Sequence, residues 1–274
     1  MTNTGLTIIK VGGGAAINLQ GVAEDLAQID GPKIVVLGAN AVRNQLAREL
    51  GREVRTVTSL SGHTSVFSDE HMIDLIFMSY AGLQNKKMVS WCRQAGVNAV
   101  GLTGLDGGLI QGRRNRGIKT RVDGKKMVLR DHSGKPVSVN DQLLRTLLKD
   151  GYTPVLSIPI ADEDGRPLNS ENDDIVALLH QSLQAQNVVQ LIEAPGLMGD
   201  MDDPGSLVSR LSAEELRQWE TRVEGRMRRK LTALNRLFEN GATRLVIADG
   251  RGPQPISHAL AGEGTVIECQ PQPC

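Results

Sequence analysis

Lys10 and the glycines Gly12, Gly13 and Gly14 close an apolar run that begins at Leu6. A buried strand that ends on a lysine brings an ammonium group to the edge of its sheet. Glycine backbone beside it offers N–H donors that no side chain shields. Together these make the chemistry of an anion site, above all one for phosphate. A second run, Ile34-Val35-Val36-Leu37, ends in Gly38 and Ala39 directly before a helical pattern. Two strand ends and two helix N-termini can thus face one phosphoryl group. Lys230 lies far downstream in the basic helix start EGRMRRK, and the segment LNSENDD, Leu168 to Asp174, lies between. Two lysines from opposite ends of the chain can neutralise charge on a transferring phosphoryl group. Asp173 can hold both ammonium groups, and Asn169 offers a neutral amide to a substrate.

The common phosphate fingerprints are missing, since no GxxxxGK[ST] occurs and neither VGGGAAI nor GLTGLDGG fits GxGxxG. Taken alone, the Lys10 turn reads equally well as a flexible strand-to-helix connection. The histidines His63, His71, His132, His180 and His258 have no ligand spacing, so no metal site is assigned.

The elements that must position these residues follow from the hydrophobic pattern. Short β-branched runs starting at Leu6, Lys33, Val97, Thr153, Val188 and Thr243 alternate with helical patterns, which predicts an α/β chain with a largely parallel sheet. A long helical pattern from Glu70 contains Gly82 as a break or close-packing point, and its Met, Phe and Trp side chains read as core or dimer surface. Between Arg113 and Val137 helical periodicity disappears, VDGKK signals a turn, and an exposed β-hairpin excursion is expected. Two lobes are expected, 1–167 on the amino-acid substrate side and 168–269 on the nucleotide side, with a disordered tail at 270–274.

The 274 residues are 40% hydrophobic, ample for a core, and their 31 basic and 31 acidic residues cancel. No global field recruits nucleic acid or a membrane, so a charged partner must meet a local patch. The cysteines, Cys92, Cys269 and Cys274, form no CxxC or zinc spacing. With no export pattern and no run of about 18 apolar residues, a soluble cytoplasmic protein is expected.

KVGG at Lys10, GAN at Gly38, NKKMVSWCRQAGVNAVGLTGLDGG from Asn85, GYTPVLSIP from Gly151, LNSENDD, APGL from Ala194, GRMRRK and IADGR from Ile247 together carry a resemblance. From about Leu6 to Ile267 the chain resembles the amino acid kinase family, in its acetylglutamate kinase branch. GLTGLDGG, GRR at Gly112 and GRMRRK are most similar to the lysine-pathway kinases of 2-aminoadipate joined to an amino-group carrier protein. The resemblance implies an open αβα sandwich with a central, mostly parallel sheet, of the carbamate kinase-like kind, in a homodimer. It implies transfer from ATP, with Mg2+ carried by the nucleotide, to a side-chain carboxylate, giving an acyl phosphate. By the same resemblance, Lys10 and Lys230 stabilise the transferring group and Asp173 organises them. Gly12, Gly13, Gly38 and Ala39 supply backbone donors, and Asn169 and Thr64 meet the substrate.

The chain departs from the family pattern in three places. Leu37-Gly38-Ala39 stands where His-Gly-Gly is usual, and Ile192-Glu193 stands before the Pro-Gly-Leu where Ser-Asp or Ser-Asn is usual. Thr64 and Val66 occupy the segment that usually carries an arginine for the substrate's α-carboxylate. Arg113, Arg114, Arg116, Lys119, Arg121, Lys125 and Lys126, against Asp123 alone, read either as a solvated face or as a dock for an acidic carrier. Stacking aromatics are missing from this patch, which counts against nucleic acid. Two alternatives stay open beside the carrier-linked kinase: a kinase of free N-acetyl-L-glutamate, and a catalytically silent amino-acid sensor.

Overall fold

β-Branched runs flanked by glycine become strands here, and the helical patterns between them become the layers that cover the sheet. The computed structural model describes residues 5–60, 62, 64–122, 125–200, 203–222 and 225–269, with backbone alone at 122, 204 and 225–230. The chain opens with β1 (Thr7–Val11), α1 (Leu19–Leu26), β2 (Lys33–Leu37) and α2 (Asn40–Glu49). β3 (Thr56–Thr58) and β4 (Thr64–Val66) pair antiparallel ahead of α3 (Glu70–Ile76). A π-helical stretch, Phe77–Gln84, carries α3 on into α4 (Asn85–Gln94). Next come β5 (Ala99–Thr103), β6 (Ile110–Arg114), β7 (Ile118–Val122), β8 (Lys125–Leu129) and β9 (Gly134–Val139). They lead to α5 (Asp141–Lys149), β10 (Thr153–Ser157), β11 (Ile160–Ala161) and β12 (Pro167–Leu168). The remainder is α6 (Asn172–Leu183), β13 (Asn187–Ile192), β14 (Arg210–Ser212), α7 (Ala213–Arg222), α8 (Gly225–Glu239), β15 (Arg244–Asp249), α9 (Pro255–Ala261) and β16 (Thr265–Glu268).

Eight strands form the central sheet in the order β14-β16-β15-β13-β1-β2-β10-β5, parallel throughout except between β15 and β16. β1 lies inside it, between β13 and β2, with Lys10 in register with Gln190 and Val36. All five residues of β1 are buried, and the two-residue period of the strand divides them between two cores. Ile9 and Val11 join Val22 of α1, Met88 and Cys92 of α4 and Ile256 of α9. Ile8 joins Ala47 of α2, Ile175 and Leu179 of α6 and Leu234 of α8. The result is the expected αβα sandwich. Lys10 shares the face of Ile8, the face that α2 and α6 cover. The Cys92 thiol is pushed up to about 11 by burial, which leaves it a small apolar filler.

Strands that precede α6 occupy one side of the sheet and those after it the other, and β1 and β13 join them. Leu168 is sewn into a second sheet, β12-β11-β6-β9, by antiparallel pairing of β12 with β11. The excursion is a hairpin, β7–β8, carried on the antiparallel pair β6 and β9. Its turn residues Asp123 and Gly124, like His63 and the tail 270–274, lie outside the described residues. The hairpin leans on β3, with Leu60 N–H donating to Lys119 O at 2.7 Å and Thr120 Oγ1 donating to Thr58 O at 2.7 Å.

Gly82 does not break the long helix. The turns widen around it, and a Cβ there would lie 3.2 Å from Phe77 O. Among the described residues no helix is long and apolar enough to cross a membrane.

Candidate active site

The ladder of β1 stops at Val11, and the chain leaves the sheet beside the end of β2, at the C-terminal edge where open α/β sheets hold ligands. Lys10 is 8% exposed. An ammonium so nearly buried needs an anion, and Asp173, in the first turn of α6, supplies it with Oδ1 at 3.1 Å from Nζ. Oδ1 makes no aligned hydrogen bond, so charge holds this pair and leaves the ammonium free to turn its protons toward the cleft. Both groups line a cleft of about 1550 Å³, which also takes in Gly13, Gly38, Asn169 and Thr64.

The glycines do two different jobs. Gly12 N–H donates to Leu191 O at 2.9 Å and Gly38 N–H to Val11 O at 2.9 Å, so both donors belong to the sheet and are corrected from the expected phosphate contacts. Each of these residues extends its strand ladder by one bond, which sequence spacing does not show. Of the N–H groups here, that of Ala39 faces the Tyr80 hydroxyl oxygen, while that of Gly13 donates to no protein acceptor among the described residues and remains for an anion. Those of Gly14 and of Asn40, the first residue of α2, are likewise available. What Gly38 contributes is space: its missing Cβ would lie 2.6 Å from Gly13 N. In return a Cβ on Gly13 would lie 2.6 Å from the nitrogens of Ala39 and Asn40. The two turns pack backbone to backbone, and that contact makes one cradle out of two strand ends. The cradle is bare, lined by N–H groups and flanked by an ammonium, and so fits a phosphoryl group.

Glu193 folds over the first turn, and Ala16 N–H donates to its Oε1 at 2.6 Å. A Cβ on Gly14 would meet its carboxylate at 1.9 Å, so a side chain there would require Glu193 to swing aside. Lys230 falls on α8, but its side chain, with those of Arg226, Arg228 and Arg229, lies outside the described residues. α8 itself is fixed against its neighbours. Arg236 meets Asp174 of α6 at 2.8 Å, and Thr232 and Asn235 donate to Glu220 of α7 at 2.6 and 2.5 Å.

On the substrate side, Asn169 Nδ2 donates to Ser68 Oγ at 2.9 Å, and the Ser68 N–H is held by the buried Asp131 carboxylate at 3.1 Å. Thr64 Oγ1 lies 2.8 Å from Thr58 Oγ1 across the β3–β4 pair. Arg43, Asn40 and Tyr80 also line this wall, and sequence reasoning missed all three. Burial pushes the Tyr80 phenol up to about 12, against the opposing pull of the Arg43 charge, so it stays a donor to Asn40 Oδ1. Among the hairpin cations, Arg113 and Arg116 are exposed. Arg114 is corrected from that set: its guanidinium turns inward, with Nε donating to Asp131 O at 2.9 Å and Nη2 at 3.3 Å from His132 Nδ1. On β6 the side chains alternate between faces, and Arg114 takes the inner one.

Residues 5–249 match the amino acid kinase family. The chain belongs to this family. The [LysW]-aminoadipate kinases of Thermus thermophilus and Deinococcus radiodurans are each 37% identical to it over 96% of this chain, covering 100% and 91% of those proteins. The acetylglutamate kinase of Methanopyrus kandleri is 32% identical over 96% of this chain and 100% of its own length. Among solved structures, a Giardia carbamate kinase aligns with a TM-score of 0.67 at 15% identity over 98% of this chain and 100% of its own. The N-acetylglutamate synthase of Neisseria gonorrhoeae aligns with a TM-score of 0.78 at 21% identity over 98% of this chain, which spans 60% of the synthase. These two likenesses bear on the fold alone, and they agree with the sandwich described above. A backbone cradle beside an ammonium at this sheet edge has the chemistry that phosphoryl transfer demands.

Two substitutions test this geometry. Gly13→Ala drives a Cβ into the Ala39 and Asn40 nitrogens and should lower kcat by about 100-fold or more, because the donors move by a fraction of an ångström. Steady-state kinetics checks this, with circular dichroism to confirm a folded protein. Asp173→Asn keeps the size but removes the anion that fixes Lys10, and kcat should fall by about 100-fold with the KM for ATP nearly unchanged. A variant at wild-type kcat would strip Asp173 of its organising role.

Proposed function

We propose that this amino acid kinase uses ATP to phosphorylate the side-chain carboxylate of 2-aminoadipate, or of glutamate, joined through its α-amino group to an acidic carrier protein. The observation that carries the reading is the Lys10–Asp173 pair at 3.1 Å beside two bare glycine turns. A pure amino-acid sensor has no need of a cation organised by a carboxylate at a phosphoryl cradle. The kinases at 37% identity, whose names specify a carrier-linked aminoadipate, support the substrate class. The lobe before residue 168 would take the amino acid, and that after it the nucleotide.

A carboxylate is a nucleophile at neutral pH, so no base is required. One of its oxygens forms a bond to the γ-phosphorus, the bond from that phosphorus to the β–γ bridging oxygen breaks, and ADP leaves with the electron pair. Lys10 meets the charge that builds on the transferring group, and the N–H of Gly13, with the neighbouring donors of the two turns, fixes its orientation. Lys230 is assigned the same neutralising role from the nucleotide side. Among the described residues no group of three or more His, Cys, Asp or Glu side chains could hold a metal ion. Mg2+ carried by the nucleotide would offset the charge of its phosphates. Asn169 and Thr64 would face the amino acid.

The carrier would dock on the β7–β8 hairpin. Exposed Lys119, Arg121, Lys125 and Lys126 on the hairpin, with Arg113 and Arg116 at its base, stand next to the cleft that Asn115 and Ile118 line. Such a patch steers an acidic partner toward the mouth. Exposed Phe77, Met78 and Leu83 along the π-helical stretch support a homodimer. A cytoplasmic location fits the free, unpaired Cys92 and Cys269.

Trapping acyl phosphate with hydroxylamine compares the candidate substrates directly. Carrier-linked 2-aminoadipate or glutamate should give hydroxamate at least about 10-fold faster, in kcat/KM, than free N-acetylglutamate. The reverse preference would make this the free-amino-acid kinase. Replacing Arg113 and Arg116 by alanine should lower kcat/KM for the conjugate and flatten its dependence on ionic strength, with activity on N-acetyl-2-aminoadipate and Tm nearly unchanged. Equal losses on conjugate and free analogue would place these arginines in the site instead of on a docking face.

A further inference from the structure

Arg43 is buried to 9% exposure on α2, yet it makes no ion pair among the described residues. Its partners are neutral amides. Nε and Nη2 donate to Asn44 Oδ1 at 3.2 and 2.9 Å, and Nη1 donates to Asn40 Oδ1 at 3.4 Å. These bonds use three of the five guanidinium N–H groups and leave two uncommitted. A buried cation with only neutral hydrogen-bond acceptors carries an unmet electrostatic demand, whereas Lys10, the other buried cation of this site among the described residues, is met by Asp173. The side chain is also held in place, because the Asn40 Oδ1 that receives Nη1 is gripped a second time by the Tyr80 hydroxyl. A fixed, desolvated and unpaired guanidinium on a cleft wall is a preformed anion receptor.

Its position selects the anion. Arg43 stands four residues into α2 from Ala39, about 6 Å along the helix axis from the phosphoryl cradle. Its companions on the wall, Asn40 and Tyr80, come from α2 and the π-helical stretch, and Thr64 lies on β4. None belongs to α7 or α8 on the far side of the cleft. A dicarboxylic amino acid whose side-chain carboxylate meets the phosphoryl group held at the Gly13 turn has its α-carboxylate a few bonds away along this wall. The segment expected to carry an arginine for that carboxylate holds Thr64 and Val66 instead, and both line the same cleft.

We infer that Arg43, from a different element of the fold, binds the α-carboxylate of the amino-acid substrate and sets the preference of the site for an α-carboxylate over a neutral group. The inference rests on the dicarboxylate-kinase reading above. A planar guanidinium gives a carboxylate two parallel charge-assisted hydrogen bonds, which fixes orientation as well as affinity. Anchored there, the substrate presents its other carboxylate to the γ-phosphoryl group.

Calorimetric titration of N-acetyl-2-aminoadipate and of its α-carboxamide tests this without requiring turnover. Wild-type protein should bind the acid about 10- to 100-fold more tightly than the amide. Arg43→Ala should bind both with the affinity wild type shows for the amide, while ATP affinity stays within about twofold of wild type. Arg43→Lys keeps the charge without the fork, and should retain only part of the preference for the acid. It also provides the reading if the alanine variant fails to fold. An undiminished preference for the acid in these variants, equal binding of acid and amide by wild type, or an ATP affinity that falls as far as that for the acid would each overturn the assignment. The hydroxylamine assay on wild type separates the two levels. If no dicarboxylate yields hydroxamate but Arg43→Ala still abolishes the preference for the acid, the kinase reading fails and the carboxylate receptor stands.

Discussion

The fold is arranged around a cation held inside it. Lys10 lies in the interior of an eight-stranded sheet, in register with Gln190 and Val36, where an aliphatic side chain would pack without cost. Desolvating an ammonium there is tolerable only because α6 delivers Asp173 to 3.1 Å. Asp173 in turn is placed by the apolar face of α6, whose Ile175, Val176 and Leu179 enter the same core as Ile8, two residues before Lys10. Packing thus fixes the carboxylate and the carboxylate fixes the ammonium. The cleft inherits a charge already oriented before any ligand arrives, which is the form of electrostatic stabilisation that needs no reorganisation during the reaction.

A second constraint acts on the backbone. The turns after β1 and β2 touch so closely that a Cβ on either Gly13 or Gly38 would lie 2.6 Å from a nitrogen of the other turn. Strand ends in a parallel sheet are about 4.8 Å apart, too far for side-chain-bearing turns to converge on one small anion. Removing the side chains lets both sets of N–H groups point at a single point. Ala39 can replace a glycine at the second turn because its φ of −147° is one that any residue adopts, and its N–H is unaffected by the methyl group.

These relationships were unequally legible in the sequence. The strands, the sandwich and the gathering of Lys10, Asp173 and Asn169 at one cleft could be read because β-branched runs, glycine turns and short motifs are local signals. Gly12 and Gly38 were credited with phosphate contacts because their spacing resembles that of donors. The structure gives those donors to Leu191 and Val11, and a sequence cannot show where a ladder ends to within one residue. Arg114 looked like its neighbours in a run of cations, but the side-chain alternation of β6 sends it inward to Asp131 O. Arg43 was hidden for the opposite reason. A single arginine on an amphipathic helix looks like a solvated residue, and only the close approach of Tyr80 from the π-helical stretch reveals its burial. Gly82 announced an irregularity in that stretch, although the helix widens at that point and does not break.

The positive charge of this face is graded by burial, although the cleft lining itself carries as many acidic as basic side chains among the described residues. At the surface the β7–β8 hairpin exposes its cations to water, where attraction is long in range, screened by salt and unselective as to shape. Inside the cleft Arg43 and Lys10 act at contact distance in a medium that screens far less, so geometry as well as charge decides what they accept. A large acidic partner can respond to the first set and only a small anion to the second. The hairpin packs on β3 through Thr58 and Leu60, and β3 pairs with β4, which carries Thr64 into the cleft wall. The cationic hairpin and the cleft wall are therefore joined by one short antiparallel pair.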